Sequence, residues 1–157
     1  MTRIVLVPGV LALLPEYAGL EDPVAELRAA CLEAAAWLGR GTTVLADEQG
    51  ARIAEYLLDR TDHTHEEESY LVVGNGSACR TEKAPGHLDE RSHAFDDALR
   101  ASLCAGRPEV DADLARELWA NVDGIAKLRS LGDLGPAQVD YDDDPYGVQY
   151  WVMRWES

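Results

Sequence analysis

Ionisable and hydrogen-bonding side chains are concentrated in one stretch, residues 72–97, which reads VVGNGSACRTEKAPGHLDERSHAFDD. Within it, His87, Glu90 and His93 could form a metal or acid–base cluster, because neutral imidazole and carboxylate groups suit zinc or iron. Residue 93 follows residue 90 by one helical turn, so the two side chains can lie on the same face. A capping or surface role explains the same histidines, and the sequence favours that simpler interpretation.

The same stretch contains glycines and hydrogen-bond donors that could hold a small ligand. Gly74 and Gly76 permit sharp turns and a close approach of the backbone to a ligand. Because the chain is strongly acidic, the cations Arg80 and Lys83 indicate a carboxylate or phosphate ligand. Alternatively, these cations only hold a long loop together by pairing with Glu82, Asp89 and Glu90. The predicted ligand-binding residues are Gly74, Asn75, Gly76, Ser77, Arg80, Lys83 and His87.

Other patterns do not specify a reaction. The run GNGS lacks the Gly-Lys-Ser/Thr ending of a phosphate-binding loop, and no Gly-x-Ser-x-Gly nucleophile elbow occurs. In DYDDDPYG, Pro145 and Trp151 stand where a calcium loop needs its glycine and its glutamate, so this run is interpreted as a charged turn. We therefore assign no catalytic residue from the sequence.

Hydrophobic spacing predicts the elements that must position these residues. Apolar and β-branched runs predict strands at residues 4–7, 42–46 and 70–73. Spacings of three and four predict a helix that begins at Asp22-Pro23 and further helices at residues 48–60, 89–103 and 111–131, the last broken near Gly124. Two strand-like runs then surround an Asp-Asp-Pro-Tyr-Gly turn. Residues 148–155 are apolar on both faces, which predicts a place inside the sheet or at a subunit contact.

These elements predict one α/β domain that covers residues 1–157. We expect a three-layer sandwich in which a mainly parallel sheet carries helices on both faces and ends in a C-terminal β-hairpin. In such sheets the ligand crevice lies beyond the carboxyl ends of the strands. Three loops should therefore converge there, at residues 8–17, 47–50 and 74–88.

Composition limits the classes of partner that we expect this chain to bind. The formal net charge is -15, which would repel a phosphate backbone, so nucleic acid is not expected. No apolar stretch approaches the ~20 residues of a membrane-spanning helix, so no membrane partner is expected. The cysteines Cys31, Cys79 and Cys104 are odd in number and form no CxxC pair, which favours a reducing cytoplasm.

Three stretches together carry a family resemblance: VLVPGVLALLPEYAG, LVVGNGSACRTEKAPGHLDERSHAFDDAL and DPYGVQYWVMRW. They resemble small, uncharacterised actinobacterial proteins placed in the superfamily of class III extradiol ring-cleavage dioxygenases (LigB type). The glycine-rich strand end, the charged loop and the helix with Phe95-Asp96 also resemble the catalytic subunits of protocatechuate-type enzymes. The resemblance reaches both ends of the chain and implies the same α/β fold.

The resemblance also implies an iron site, and this chain departs from it. The enzymes hold iron through a histidine after each of the first two strands and a later glutamate, with an acid–base histidine in the third loop. The corresponding positions hold Pro8-Gly9-Val10, Asp47-Glu48-Gln49 and Ser77-Ala78-Cys79. Without both imidazoles, a facial triad cannot form in the family manner. The resemblance therefore predicts the fold without ring cleavage and without a cofactor.

Three hypotheses about function remain open. The first is a dioxygenase-like protein without ring-cleavage activity, either non-catalytic or differently catalytic, that binds a small anionic or aromatic molecule. The second is an enzyme in which a divalent non-haem iron or zinc is held at a relocated site by His87, His93 and Glu90 or Asp47. The third is a structural homo-oligomer that associates through the aromatic C-terminal strand, with Tyr150, Trp151 and Trp155 as anchors.

Overall fold

The structure is a computed structural model that describes residues 1–14 and 24–157. Within those residues the strands are β1 (Arg3–Val7), β2 (Thr43–Leu45), β3 (Ser69–Val73), β4 (Gln138–Asp143) and β5 (Tyr150–Glu156). The α-helices are α1 (Ala25–Ala36), α2 (Glu48–Asp59), α3 (Arg91–Cys104), α4 (Ala112–Glu117) and α5 (Asp123–Leu128). None of them has the length and apolar character needed to cross a membrane. The predicted helix start at Asp22-Pro23 and residues 15–17 of the first predicted loop lie outside the described residues.

The five strands form one mixed sheet in the order β2-β3-β1-β5-β4. β1 and β2 each pair with β3 in parallel, as expected when a helix connects successive strands. β5 pairs antiparallel with both β1 and β4. The α/β class is confirmed, but the expectation of a mainly parallel sheet is not. The short connection at residues 144–149 forces β5 to reverse against β4, and β5 then brings an antiparallel neighbour to β1.

Hydrophobic side chains pack on both faces of the sheet. Alternate strand residues such as Val5, Leu71 and Val152 cluster with buried residues of α1 and α2. The intervening residues, among them Leu6 and Val72, cluster with buried residues of α3, α4 and α5. The sheet is therefore covered on both faces, and the exposed ends of its strands are where a ligand can approach.

The C-terminal strand lies inside the sheet, between β1 and β4. Tyr150, Trp151 and Trp155 are almost completely buried within this single chain, at 4%, 0% and 1% exposure. These are the residues that the homo-oligomer hypothesis uses as subunit anchors. The structure does not support that assignment, because both edges of β5 are already paired and both of its faces are covered.

The predicted long helix at residues 111–131 is two short helices, and the break lies earlier than expected. The chain leaves the helical path after α4 and re-enters it at α5, so Gly124 lies inside a helix. A Cβ atom at this position would collide with the carbonyl oxygens of Leu45 and Val73. Glycine is therefore needed there for close contact between α5 and the ends of β2 and β3, and not for a helix break.

Candidate functional site

A cavity of about 440 Å³ lies beyond the carboxyl ends of β1, β2 and β3. We call it the strand-end crevice. Each of the three predicted loops supplies part of its wall, and the connection between α4 and α5 supplies the rest. The described residues that line it are Gly9, Asp47, Gln49, Asn75, Arg116, Trp119, Ala120, Asn121 and Asp123.

Asn75 forms the floor of the strand-end crevice and is 6% exposed. Its Oδ1 accepts a hydrogen bond from the Gly9 backbone N–H at 3.2 Å, and its Nδ2 donates to the Gly76 carbonyl oxygen at 3.0 Å. Its backbone N–H donates to the Asn121 carbonyl oxygen at 2.9 Å. The Gln49 side chain donates to the Gly9 carbonyl oxygen at 2.9 Å. These bonds join the loops after β1, β2 and β3 into a fixed floor.

Two carboxylates stand at helix starts on the crevice wall. Asp47 caps α2, because its Oδ1 accepts a hydrogen bond from the Gly50 N–H at 2.7 Å. Asp123 is the first residue of α5. Because both positions are fixed by helix ends, their carboxylates are held on the rigid scaffold and not on a mobile loop. They offer a ligand hydrogen-bond acceptors and negative charge.

Trp119 stands at the mouth of the strand-end crevice in an unusual backbone conformation. Its φ of 60° lies in the left-handed region, and its side chain is 59% exposed. The Ala120 N–H donates to the Ala115 carbonyl oxygen and the Trp119 N–H to the Arg116 carbonyl oxygen, so α4 ends in a Schellman motif. Glycine usually occupies this position, because a side chain there costs roughly 1–2 kcal/mol. Position 119 nevertheless holds an exposed tryptophan, although its backbone conformation favours glycine.

The turn at residues 84–87 packs against one side of the Trp119 ring. A Cβ atom on Gly86 would lie 3.3 Å from Trp119 Cδ2, so the indole packs directly against this glycine. His87, in the same turn, also has a left-handed φ of 60°. The indole therefore contacts this turn and also borders the cavity.

The segment at residues 74–80, which was predicted to bind a ligand, is mostly an internal part of the fold. Gly76 N–H donates to the Gln149 carbonyl oxygen, and the Ala78 N–H donates to the Leu118 carbonyl oxygen. Ser77 is fully buried, and both its N–H and its hydroxyl donate to the Asp96 carboxylate at 2.7 Å. Of the predicted set Gly74, Asn75, Gly76 and Ser77, only Asn75 lines the strand-end crevice.

The positive charge of Arg80 is balanced by two carboxylates within the protein. The Arg80 side chain is 14% exposed, and its guanidinium contacts Asp96 at 3.0 Å and Asp144 at 2.7 Å. Partial burial alone would lower the pKa of Arg80, but hydrogen bonds to Asp144 and Asp96 raise it above its usual value. The alternative interpretation of Arg80 as a loop-holding cation fits this geometry, although its partners differ from the predicted Glu82, Asp89 and Glu90. Asp89 instead pairs with Arg91 at 2.8 Å.

The remaining predicted residues lie on the surface. Lys83 lines a separate cavity beside the 144–149 turn, together with Tyr146, and His87 is exposed. Glu90 and His93 are exposed as well. Within residues 1–14 and 24–157, no group of three or more His, Cys, Asp or Glu side chains is arranged to hold a metal ion. The structure therefore does not bring His87, Glu90 and His93 together as a metal site.

Five crevice residues lie outside the predicted loops: Arg116, Trp119, Ala120, Asn121 and Asp123. The spacing of Leu118, Val122 and Ile125 places them in a predicted helical region that is broken only near Gly124. The run WANVDG contained the missing signal, because Asn followed by Asp-Gly within a helical pattern is typical of a turn or a new helix start.

The lining residues offer two carboxylates, three side-chain amides, one guanidinium and one indole. Such a set can stack on a flat ring and accept or donate hydrogen bonds around it. Among the described residues, the crevice lining includes no imidazole, thiol or hydroxyl. Comparison with protein-family models and with curated proteins finds no match for this chain.

Proposed function

We propose that the chain is a small-molecule-binding protein whose ligand occupies the strand-end crevice and contains a hydroxylated aromatic ring. The observation that carries this proposal is Trp119, which is exposed at the crevice mouth in a conformation that glycine would adopt more easily. Strained residues persist where the surrounding structure holds them, and they concentrate at ligand-binding sites. A ligand ring packed against the indole would offset the conformational cost.

The charge around the crevice favours an aromatic ligand over an anionic one. Arg80, the cation expected to bind an anion, is occupied by two carboxylates. Of the lining residues only Arg116 is cationic, while Asp47 and Asp123 are acidic and the whole chain has a net charge of -15. An anion would therefore meet a repulsive field. Phenolic hydroxyl groups, by contrast, would donate hydrogen bonds to the carboxylates.

The relation to class III extradiol dioxygenases is part of this proposal. A crevice at the carboxyl ends of parallel strands, and core clusters on both faces of the sheet, support assignment to that family's three-layer sandwich. The donors at this crevice do not fit the family's iron, because they include carboxylates and amides but no histidine. We therefore propose binding without ring cleavage.

A reducing cytoplasm is the proposed location. Cys31, Cys79 and Cys104 are all free thiols, and two of them are buried. Buried unpaired thiols are compatible with a compartment in which disulfides do not form.

The test is a titration of the ¹⁵N-labelled protein with catechol, followed by two-dimensional NMR. We expect chemical-shift changes at the Trp119 indole N–H and at crevice residues such as Asn75 and Asn121. Benzoate tests the anionic alternative, and 1,2-cyclohexanediol tests whether the flat ring is needed.

Variants at two exposed aromatic residues make the assignment specific. Trp119→Ala should weaken catechol binding roughly 3- to 10-fold, the value of an aromatic pair. Tyr146→Ala is the matched control, since Tyr146 is also exposed but lines the other cavity, and it should have no effect. Equal binding by both variants, or a preference for benzoate, would contradict the proposal.

A further inference from the structure

A second concave surface, which shares no lining residue with the strand-end crevice, lies against α3. It is a groove of about 440 Å³ between α3 and the segment at residues 109–114. Phe95, Leu99 and Leu114 contribute apolar side chains to it. Ala94 and Ala98 lie one helical turn apart on its α3 side and are exposed. We call this surface the α3 groove.

The shape of the α3 groove suits another helix. α3 has 14 residues, which corresponds to a length of roughly 21 Å. The alanines at positions 94 and 98 have small side chains, so a partner backbone can approach α3 closely. Leu114 and Phe95 then offer apolar surface to side chains spaced one turn apart on that partner. Recognition of this kind places the apolar face of an amphipathic helix into a hydrophobic groove.

The charges at the α3 groove decide the chemistry of the partner. Arg91 is already paired with Asp89 at 2.8 Å and with Glu117 at 3.3 Å. Asp111 uses Oδ1 to cap α4, and Glu109 has no ion-pair partner among residues 1–14 and 24–157. The groove edge is therefore negative, as is the chain at -15. A second copy of this acidic chain would be repelled, whereas a basic partner would be attracted.

We propose that the α3 groove docks an amphipathic helix of another protein, with apolar residues facing Phe95, Leu99 and Leu114 and with Lys or Arg residues facing Glu109 and Asp111. This inference does not depend on the proposed ligand of the strand-end crevice, because the two surfaces share no residue. Aromatic and aliphatic contacts would supply the affinity, and the acidic edge would favour basic sequences over acidic ones.

The test uses a fluorescein-labelled synthetic helix of 18 residues, with leucines on one face and lysines on the other, titrated with the full chain. A scrambled peptide of the same composition controls for attraction by net charge alone. An acidic peptide with the same leucine pattern controls for apolar binding alone. We expect the amphipathic basic peptide to bind at least tenfold more tightly than either control, in fluorescence anisotropy.

Two variants, each with a matched control, test where the peptide binds. Ala98→Arg should weaken binding of the basic helix at least tenfold, whereas Ala51→Arg, which adds the same charge at an exposed position of α2, should not. Glu109→Lys should weaken binding and reduce its salt dependence, whereas Glu55→Lys on α2 should not. Circular dichroism confirms that each variant is folded.

Three results would overturn the proposal. Equal binding of the scrambled peptide would mean that the attraction is only electrostatic. Equal loss in Ala98→Arg and Ala51→Arg would place the contact elsewhere. Self-association of the wild type that Ala98→Arg abolishes would identify a second copy of this chain as the occupant.

Discussion

The two sides of the segment at residues 74–80 differ in what their polar groups do. On one side, Ser77 and Arg80 are enclosed with Asp96 and Asp144, and every charge has a partner. On the other side, Asn75 faces an open crevice bordered by Trp119. The first side joins β3 to α3 and the 144–149 turn, whereas the second leaves acceptors and an indole facing solvent. Polar residues after a strand therefore do not by themselves indicate a ligand, because the side-chain partners of Asn75, Ser77 and Arg80 are all internal.

The enclosed side should be critical for stability. Asp96 is 1% exposed and accepts hydrogen bonds from Ser77 and Arg80. Asp96→Ala leaves both Ser77 donors buried without a partner and leaves Arg80 with Asp144 alone, so we expect a loss of about 3–5 kcal/mol in the free energy of unfolding. Urea denaturation measures it. Asp97→Ala, at the exposed neighbouring position, should change the stability by less than about 0.5 kcal/mol. Similar values for the two variants would show that the enclosed network is not structural.

The open side should depend on the close approach of α5 to the sheet. Gly124→Ala places a methyl group against the carbonyl oxygens of Leu45 and Val73, so we expect a loss of about 1–3 kcal/mol and a displaced crevice wall. Gly41→Ala is the control, because a Cβ there meets nothing within 4 Å although φ is +64°. This control variant should lower the free energy of unfolding only through the unfavourable backbone conformation, by about 1 kcal/mol. A Gly124→Ala protein of wild-type stability would contradict the packing.

We expect Trp119 to lower the stability of the fold and to contribute to ligand binding. Trp119→Gly relieves the left-handed backbone, whereas Trp119→Ala removes the same ring but retains the Cβ atom. We expect the glycine variant to be more stable than the alanine variant by about 1 kcal/mol, as measured by urea denaturation. Both variants should lose catechol binding equally. An alanine variant at least as stable as the glycine variant would remove the argument that the indole is held at a conformational cost.

The sequence predicted β1, β3, α2 and α3 to within two residues, because their apolar periodicity is local. The predicted C-terminal hairpin is the antiparallel pair of β4 and β5, but the sequence could not predict that β5 also pairs antiparallel with β1, since apolar runs do not state which neighbour they pair with. The three loops around the crevice followed from the positions of the parallel strands. The ion pair of Arg80 with Asp144 spans 64 positions in the chain and has no local signal. Nearby acidic residues were predicted as partners only because they are close in sequence.

Cys79 contacts the connection between α4 and α5 and lies near Asp96, so the reactivity of its thiol depends on both the open and the enclosed side. Its Sγ lies 3.3 Å from the Leu118 carbonyl oxygen, one residue before Trp119. Burial, and then the carboxylates of Asp89 and Asp96, raise the pKa of its thiol. Because the folded pKa lies above the unfolded one, the neutral thiol stabilises the fold below about pH 8.5, and this contribution is lost as the pH rises further.

In a Cys104→Ser variant only the two buried thiols remain, Cys31 and Cys79. We expect little reaction with a disulfide reagent at pH 8 until urea unfolds the chain, because the thiolate is the reactive form and burial disfavours it. Wild-type protein should label once, at the partly exposed Cys104. Rapid native labelling of Cys79 would mean that the connection between α4 and α5 opens readily. The difference between an enclosed side and an open side would then be one of opening rate and not of packing.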